Sequence, residues 1–226
     1  MTLMQVGNKA GFSVSELRLR AEGVLTPPSQ HLTEGDPTSL RHDFELDPDM
    51  ANYDGTYEKR LAAVLVPIIE RDNQASVLFT QRTDDLPTHA GQISFPGGKM
   101  DPGDANAVDT ALREASEEIS LDPQYVEPIG FLQDYITSTG YRIAPLVGVI
   151  RDGYSVVPDH NEVADIFDVP LSFLMNVKNH EIHTREWRGR KRKFYAMPYE
   201  DRFIWGATAG MLRNLYEWIY EAEPTR

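Results

Sequence analysis

The chain has 226 residues, 22 Lys and Arg against 35 Asp and Glu, a net charge of −13 and no cysteine. That length suits one domain with an extension, large enough to bury a core without disulfides or a structural metal. The absent cysteines exclude a disulfide scaffold, thiolate zinc ligation and a cysteine nucleophile, and the acidic balance lacks the basic footprint that non-specific nucleic-acid binding needs.

No apolar run approaches the ~18 residues of a bilayer span. Met1–Lys9 does not follow the basic-then-apolar plan of a secretory signal. A soluble, cytoplasmic protein with no nucleic-acid or membrane partner is expected. Residues 1–57 read as a surface-hugging extension and residues 58–226 as the main domain. Within the extension, Val14–Leu25 has a short helical pattern with Leu17, Leu19, Ala21 and Val24 as apolar members, and prolines then break the chain up to Tyr57. Leu61–Ile69 and Ser76–Gln81 read as strands joined by the polar turn Glu70–Gln74. Gln92–Phe95 is a short strand entering Pro96-Gly97-Gly98. Asp104–Ser120 has helical periodicity, with Ala107, Ala111, Ala115 and Ile119 on one stripe and Asp104 as expected N-cap. Strands follow at Tyr125–Tyr135, Arg142–Ile150, Glu181–Trp187 and Phe194–Met197, the last two joined around Gly189. A final amphipathic helix over Trp205–Tyr220 is expected to place Trp205 and the Tyr216–Trp218 aromatics in the core. This order describes a mixed α/β or α+β domain.

The chemistry concentrates in Gly97–Leu121. A helix there puts Glu114, Glu117 and Glu118 at i, i+3 and i+4, on one face. Such clusters are commonly only solvated. Here, however, they follow a strand, a Gly-Gly turn and a capped, alanine-lined helix. Carboxylates so close repel one another, and divalent cations, which take oxygen ligands, would relieve that repulsion. Arg113 reaches Glu117 at i+4, and Gly97-Gly98 leaves backbone carbonyls open to a ligand.

The segment resembles the Nudix box, G-x5-E-x7-R-E-U-x-E-E-x-G-U with U aliphatic: Gly98, Arg113, Glu114, Glu117, Glu118 and Leu121 occupy its positions. Asp104 stands for the first Glu, one residue further from Arg113 than usual. Ala115 is small for the U position, and Ser120 replaces the late Gly. Upstream, Leu78-Phe79-Thr80-Gln81-Arg82-Thr83, His89-Ala90-Gly91 and Phe95-Pro96-Gly97-Gly98 are similar to the signature of the coenzyme A pyrophosphatase branch (LLTxRS…RxxxGxxxFPGG). That branch shares the Asp and the lengthened spacing. Pro87 stands where it has Arg, and Thr83 where it has Ser. The resemblance covers Lys59–Leu171, with a weaker echo in Ile204–Ala209.

The resemblance implies an α+β fold, an α/β/α sandwich whose mixed sheet is flanked by the box helix and a C-terminal helix. It also implies Mg²⁺ or Mn²⁺ as cofactor. Glu114 and Glu118 would be the principal ligands, Glu117 a further ligand or catalytic carboxylate, and the Gly98 carbonyl a completing donor. Arg113 would orient the carboxylates. The implied reaction is hydrolysis of the diphosphate in coenzyme A or a derivative, giving 3′,5′-ADP and 4′-phosphopantetheine. Glu162 is the outside candidate for general base and Glu117 the inside one. Arg82, His89 and Gly97 are candidates for substrate binding, since a guanidinium fork suits phosphate oxygens. The six-residue basic set Arg185, Arg188, Arg190, Lys191, Arg192 and Lys193 reads as a solvated hairpin, with anion capture as its rival reading. Alternatives left open are another nucleoside diphosphate derivative such as ADP-ribose, a non-catalytic nucleotide-sensing module, and a homodimer.

Overall fold

The computed structural model describes residues 9–31, 40–43, 45–47, 60–86, 88–187 and 189–221. Pro87 and Arg188, both used above, lie outside the described residues. Helix α1 (Val14–Ala21) starts where the Ser13 side chain accepts from the Glu16 N–H at 3.1 Å. It buries Val14, Leu17 and Ala21 and leaves Leu19 66% exposed. The helix ends before Leu25 because Glu22 is already extended and Gly23 is left-handed.

After β1 (Arg41–His42) come β2 (Arg60–Arg71) and β3 (Gln74–Arg82), an antiparallel pair. Asp72 and Asn73 both have positive φ, the conformation that a two-residue turn with the right twist requires. Next are β4 (Ile93–Ser94), β5 (Gly97–Lys99), α2 (Ala107–Ile119), β6 (Val126–Phe131), β7 (Tyr135–Ile136), β8 (Tyr141–Ile150) and β9 (Val163–Pro170). A single helical turn, α3 (Leu171–Leu174), leads to β10 (Glu181–Trp187), β11 (Arg190–Tyr199), β12 (Arg202–Trp205) and α4 (Ala207–Leu215).

Among the described residues, the larger sheet runs β1-β7-β8-β2-β3-β4, with β5 on β2, β6 on β8 and β9 on β3; β10-β11-β12 form a second sheet. The larger sheet is mixed, because β2 and β8 run parallel while β2 and β3 run antiparallel. Residue alternation along β2 sorts the core into two layers. Ala63, Leu65 and Ile69 pack with Ala107, Ala111, Ala115 and Ile119 of α2. Val64, Val66 and Ile68 pack on the other face with Leu17 of α1 and Leu212 and Leu215 of α4. Each fully buried Val, Leu or Ile among them contributes about 1.5–3 kcal/mol. The alanine stripe lets α2 lie close to the sheet. The result is the expected α+β sandwich, helix on each face of a mixed sheet.

Several local expectations are corrected. The stretch Tyr125–Tyr135 divides into β6 and β7. Trp205 ends a strand, since Arg202–Trp205 pairs with Ala196–Tyr199 of β11, and the helix begins only after Gly206, at positive φ. That helix passes into a π-helical turn over Tyr216–Glu221. The pairing leaves Trp205 half-buried, and Trp218 is 37% exposed, so neither is a core anchor.

Candidate functional site

Helix α2 is capped by Asn106, whose side-chain oxygen accepts from the Val108 and Asp109 N–H groups at 2.8 and 3.1 Å. Asp104, expected as the cap, does something else. Its carboxylate receives the Arg113 fork, Nε at 2.9 Å and Nη2 at 3.0 Å, together with the Thr110 hydroxyl at 2.9 Å. The guanidinium holds the Asp104 carboxyl well below the usual carboxylate range. The helix ends at Ser120, left-handed at φ 54°, which gives the physical reason a glycine is favoured there.

From that anchor Arg113 reaches three further acceptors: Glu117 at 2.9 Å, Glu114 at 2.9 Å and the Lys99 carbonyl at 3.1 Å. One guanidinium thus ties the helix face to the end of β5. Glu117 is drawn outward by this contact, its side chain 61% exposed.

Glu114 and Glu118 point instead at the Gly-Gly strand. A Cβ on Gly98 would lie 2.5 Å from a Glu114 carboxylate oxygen, so any larger residue there would push that carboxylate out of its present position. The Gly97 N–H donates to Glu118 Oε2 at 3.3 Å, and Arg82 Nη1 lies 3.7 Å from Glu118 Oε1. The Glu118 side chain is only 6% exposed. Burial pushes its carboxyl up to about 8; the Gly97 N–H and Arg82 oppose that rise, while Glu114 and Glu162 add to it. Glu114 is also raised, chiefly by burial, against the opposing pull of Arg113.

Arg82 and Glu162 approach from neighbouring strand ends. In the β3–β9 ladder Gln81 pairs with Asp165 but Arg82 pairs with Val163, so Ala164 is the extra residue of a β-bulge. Just beyond it, the Thr83 N–H donates to the Glu162 carbonyl at 3.0 Å, and the Glu162 side chain is near enough to raise both Glu114 and Glu118. Arg82 Nε is buried with no hydrogen-bond partner. His89 is exposed, left-handed at φ 59°, and engaged with Gln92 Oε1 at 2.8 Å, a contact that shapes its own loop. The structure therefore gathers Glu114, Glu118, Glu162, Arg82, Arg113, Gly97 and Gly98 in one place, turns Glu117 to its rim, and keeps His89 in the adjoining loop.

The acceptors facing inward are the carboxylate oxygens of Glu114 and Glu118, hard ligands of the kind that Mg²⁺ and Mn²⁺ take. They fit such an ion, because a nearly buried carboxylate with two acidic neighbours is under-compensated by one N–H at 3.3 Å and one guanidinium at 3.7 Å. Among the described residues no three acidic or His side chains form a finished cage.

The NUDIX domain family model matches residues 59–192. The chain is 40% identical over 160 residues to the uncharacterized Nudix hydrolase NudL of Escherichia coli K12, covering 71% of this chain and 83% of that protein. Its counterpart in Citrobacter koseri is 39% identical over the same shares. The crystal structure of a NUDIX hydrolase from Alicyclobacillus acidocaldarius is a distant likeness, at 19% identity and TM-score 0.42 over 54% of this chain and 84% of that one. The family match together with the NudL identity shows that this chain belongs to the Nudix hydrolases, enzymes of the pyrophosphohydrolase type.

Proposed function

We propose that the protein hydrolyses the diphosphate linkage of coenzyme A or one of its derivatives, releasing 3′,5′-ADP and 4′-phosphopantetheine or its acyl form. One observation carries the chemistry: Glu114 and Glu118 converge on the Gly97-Gly98 strand, Glu118 nearly buried and pushed up to about 8. The choice of coenzyme A is supported by the residues leading into the site, Leu78–Thr83 and Phe95–Gly98.

A divalent cation, Mg²⁺ or Mn²⁺, held by Glu114, Glu118 and the Gly98 carbonyl, with Glu117 at the rim, would neutralise diphosphate charge and lower the pKa of a bound water. The protein's own side chains supply the rest. Arg113, locked on Asp104, fixes the rotamers of Glu114 and Glu117. Arg82, whose side chain is 23% exposed, offers its guanidinium fork to phosphate oxygens. Glu162, solvent-exposed beside the two raised carboxylates, is positioned to accept a proton from attacking water, with Glu117 as the second candidate for that task.

The test is a panel of coenzyme A, acetyl-coenzyme A, ADP-ribose, a dinucleoside polyphosphate and a nucleoside triphosphate, assayed with Mg²⁺ and with Mn²⁺, with products separated by chromatography. Release of 3′,5′-ADP from the coenzyme A compounds is expected. Turnover confined to ADP-ribose would overturn the substrate assignment and leave the hydrolytic site standing.

A further inference from the structure

Arg202 stands outside every motif considered above. It opens β12 directly after a tight turn in which Glu200 has φ 53°. Its guanidinium donates through Nη1 to Gln81 Oε1 and through Nη2 to Asp165 Oδ2, the latter at 2.6 Å. It also lies over the ring of Phe167, 4.5 Å from the centroid. Gln81 and Asp165 are cross-strand partners, and theirs is the last regular rung before the bulge at Ala164.

Side chains alternate along β3. Leu78 belongs to the layer under α2, while Phe79 belongs to the opposite layer, so Gln81 shares the face of Phe79 and Arg82 the face of Leu78. Arg202 therefore grips the rung from one face of the sheet, and on the other face the next residue, Arg82, points at Glu118. The bulge lies on β9, opposite Arg82, where it disrupts the ladder and increases the local twist, so the direction in which Arg82 leaves β3 depends on how firmly the preceding rung is held. Asp165 Oδ1 is already held by the Ile166 N–H at 2.9 Å, so Arg202 takes the other oxygen, Oδ2, and joins it to Gln81 across the rung. With Arg202 they form a stacked, three-point clamp.

We infer that Arg202 is a positioning residue for the hydrolytic site, clamping the Gln81–Asp165 rung so that Arg82, opposite the bulge, stays aimed at the substrate phosphates. This rests on the proposed diphosphate hydrolysis, and it makes the second sheet a working part of the site: β12 sets the direction of a residue on β3.

The test is a double-substitution cycle on the full chain, using whichever diphosphate the wild type turns over. Arg202→Ala is expected to lower kcat/KM ~10- to 100-fold, the scale on which small misplacements act. It should show the same division between kcat and KM as Arg82→Ala. In an Arg82→Ala background the further loss should shrink to less than ~3-fold, because coupled residues are not additive. Arg202→Lys, which cannot bridge two acceptors, should restore little. Equal losses in both backgrounds, or no loss at all, would overturn the inference. Should Arg202→Ala not fold, Gln81→Ala and Asp165→Asn, which remove one acceptor each, carry the same cycle. A crystal structure of Arg202→Ala gives a readout independent of turnover: the Arg82–Glu118 separation should lengthen beyond 3.7 Å. Unchanged geometry there refutes the positioning role even if no substrate is turned over, whereas absent turnover with displaced Arg82 would fail only the functional reading.

Discussion

Burying a carboxylate as deeply as Glu118 costs several kcal/mol unless it is paired or protonated. Its partners, a 3.3 Å N–H and a 3.7 Å guanidinium, compensate in part only. The sign of the consequence is fixed. The usual carboxyl titrates near 4.5 and the folded one at about 8, so the metal-free folded chain keeps a proton that the unfolded chain gives up. The stability contributed by this group is complete below about 4.5, declines as pH rises and is lost through about 8. Melting curves in chelator should therefore show a falling Tm between pH 5 and 8.5, and Glu118→Gln should flatten that fall. Parallel pH profiles for the two proteins would contradict it. Arg113 is the other residue on which the site turns, since its fork spans Asp104, Glu114, Glu117 and the Lys99 carbonyl. Lysine keeps the charge but not the fork, so Arg113→Lys should reduce activity ~10- to 100-fold, the range for residues that support metal ligands. Steady-state rates on the panel's best substrate, with Tm measured alongside, check this.

The working unit at the next scale is strand β5, the link Met100–Asn106 and helix α2. Gly98 clears space for Glu114, Asn106 starts the helix, and Ser120 stops it in a left-handed conformation that an L-residue adopts at a cost of about 1 kcal/mol. Ser120→Gly should raise stability by a few tenths to about 1 kcal/mol, less than the full strain because glycine also loosens the unfolded chain. Urea midpoints would read the difference, and a lower midpoint would refute the strain. This unit was legible in the sequence because its signals are local. The i, i+3, i+4 spacing, the Gly-Gly pair and the alanine stripe each act within a few turns. The expectation of Asp104 as the cap fails for an equally local reason: Asn106 satisfies the first N–H groups at closer register, and Asp104 faces Arg113 in the fold. Trp205 fits a helical core position by periodicity alone, because apolar periodicity near an end does not separate the last residues of a strand from the first turn of a helix. Arg202 gave no signal at all. Its partners Gln81 and Asp165 are 121 and 37 residues away, and nothing in the spacing of the chain joins them.

Across the whole molecule the net charge of −13 takes on a local meaning. Part of that formal charge, Glu114, Glu118 and Glu162, is gathered on one side of the sheet, where a bound divalent cation would displace the proton kept by Glu118 and offset the acidic neighbours. The two core layers give that acidic face a rigid floor, and the second sheet reaches it through Arg202. The central claim is hydrolysis of a diphosphate at the Glu114–Glu118 face, with a divalent cation required. It is tested most directly by measuring 3′,5′-ADP release from coenzyme A by wild type, Glu114→Gln and Glu118→Gln, each with Mg²⁺ and with excess chelator. The account predicts release by the wild type with Mg²⁺, none in chelator, and rates at least ~100-fold lower for both substituted proteins. Turnover that persists in chelator, or that survives Glu118→Gln unchanged in a folded protein, would contradict it.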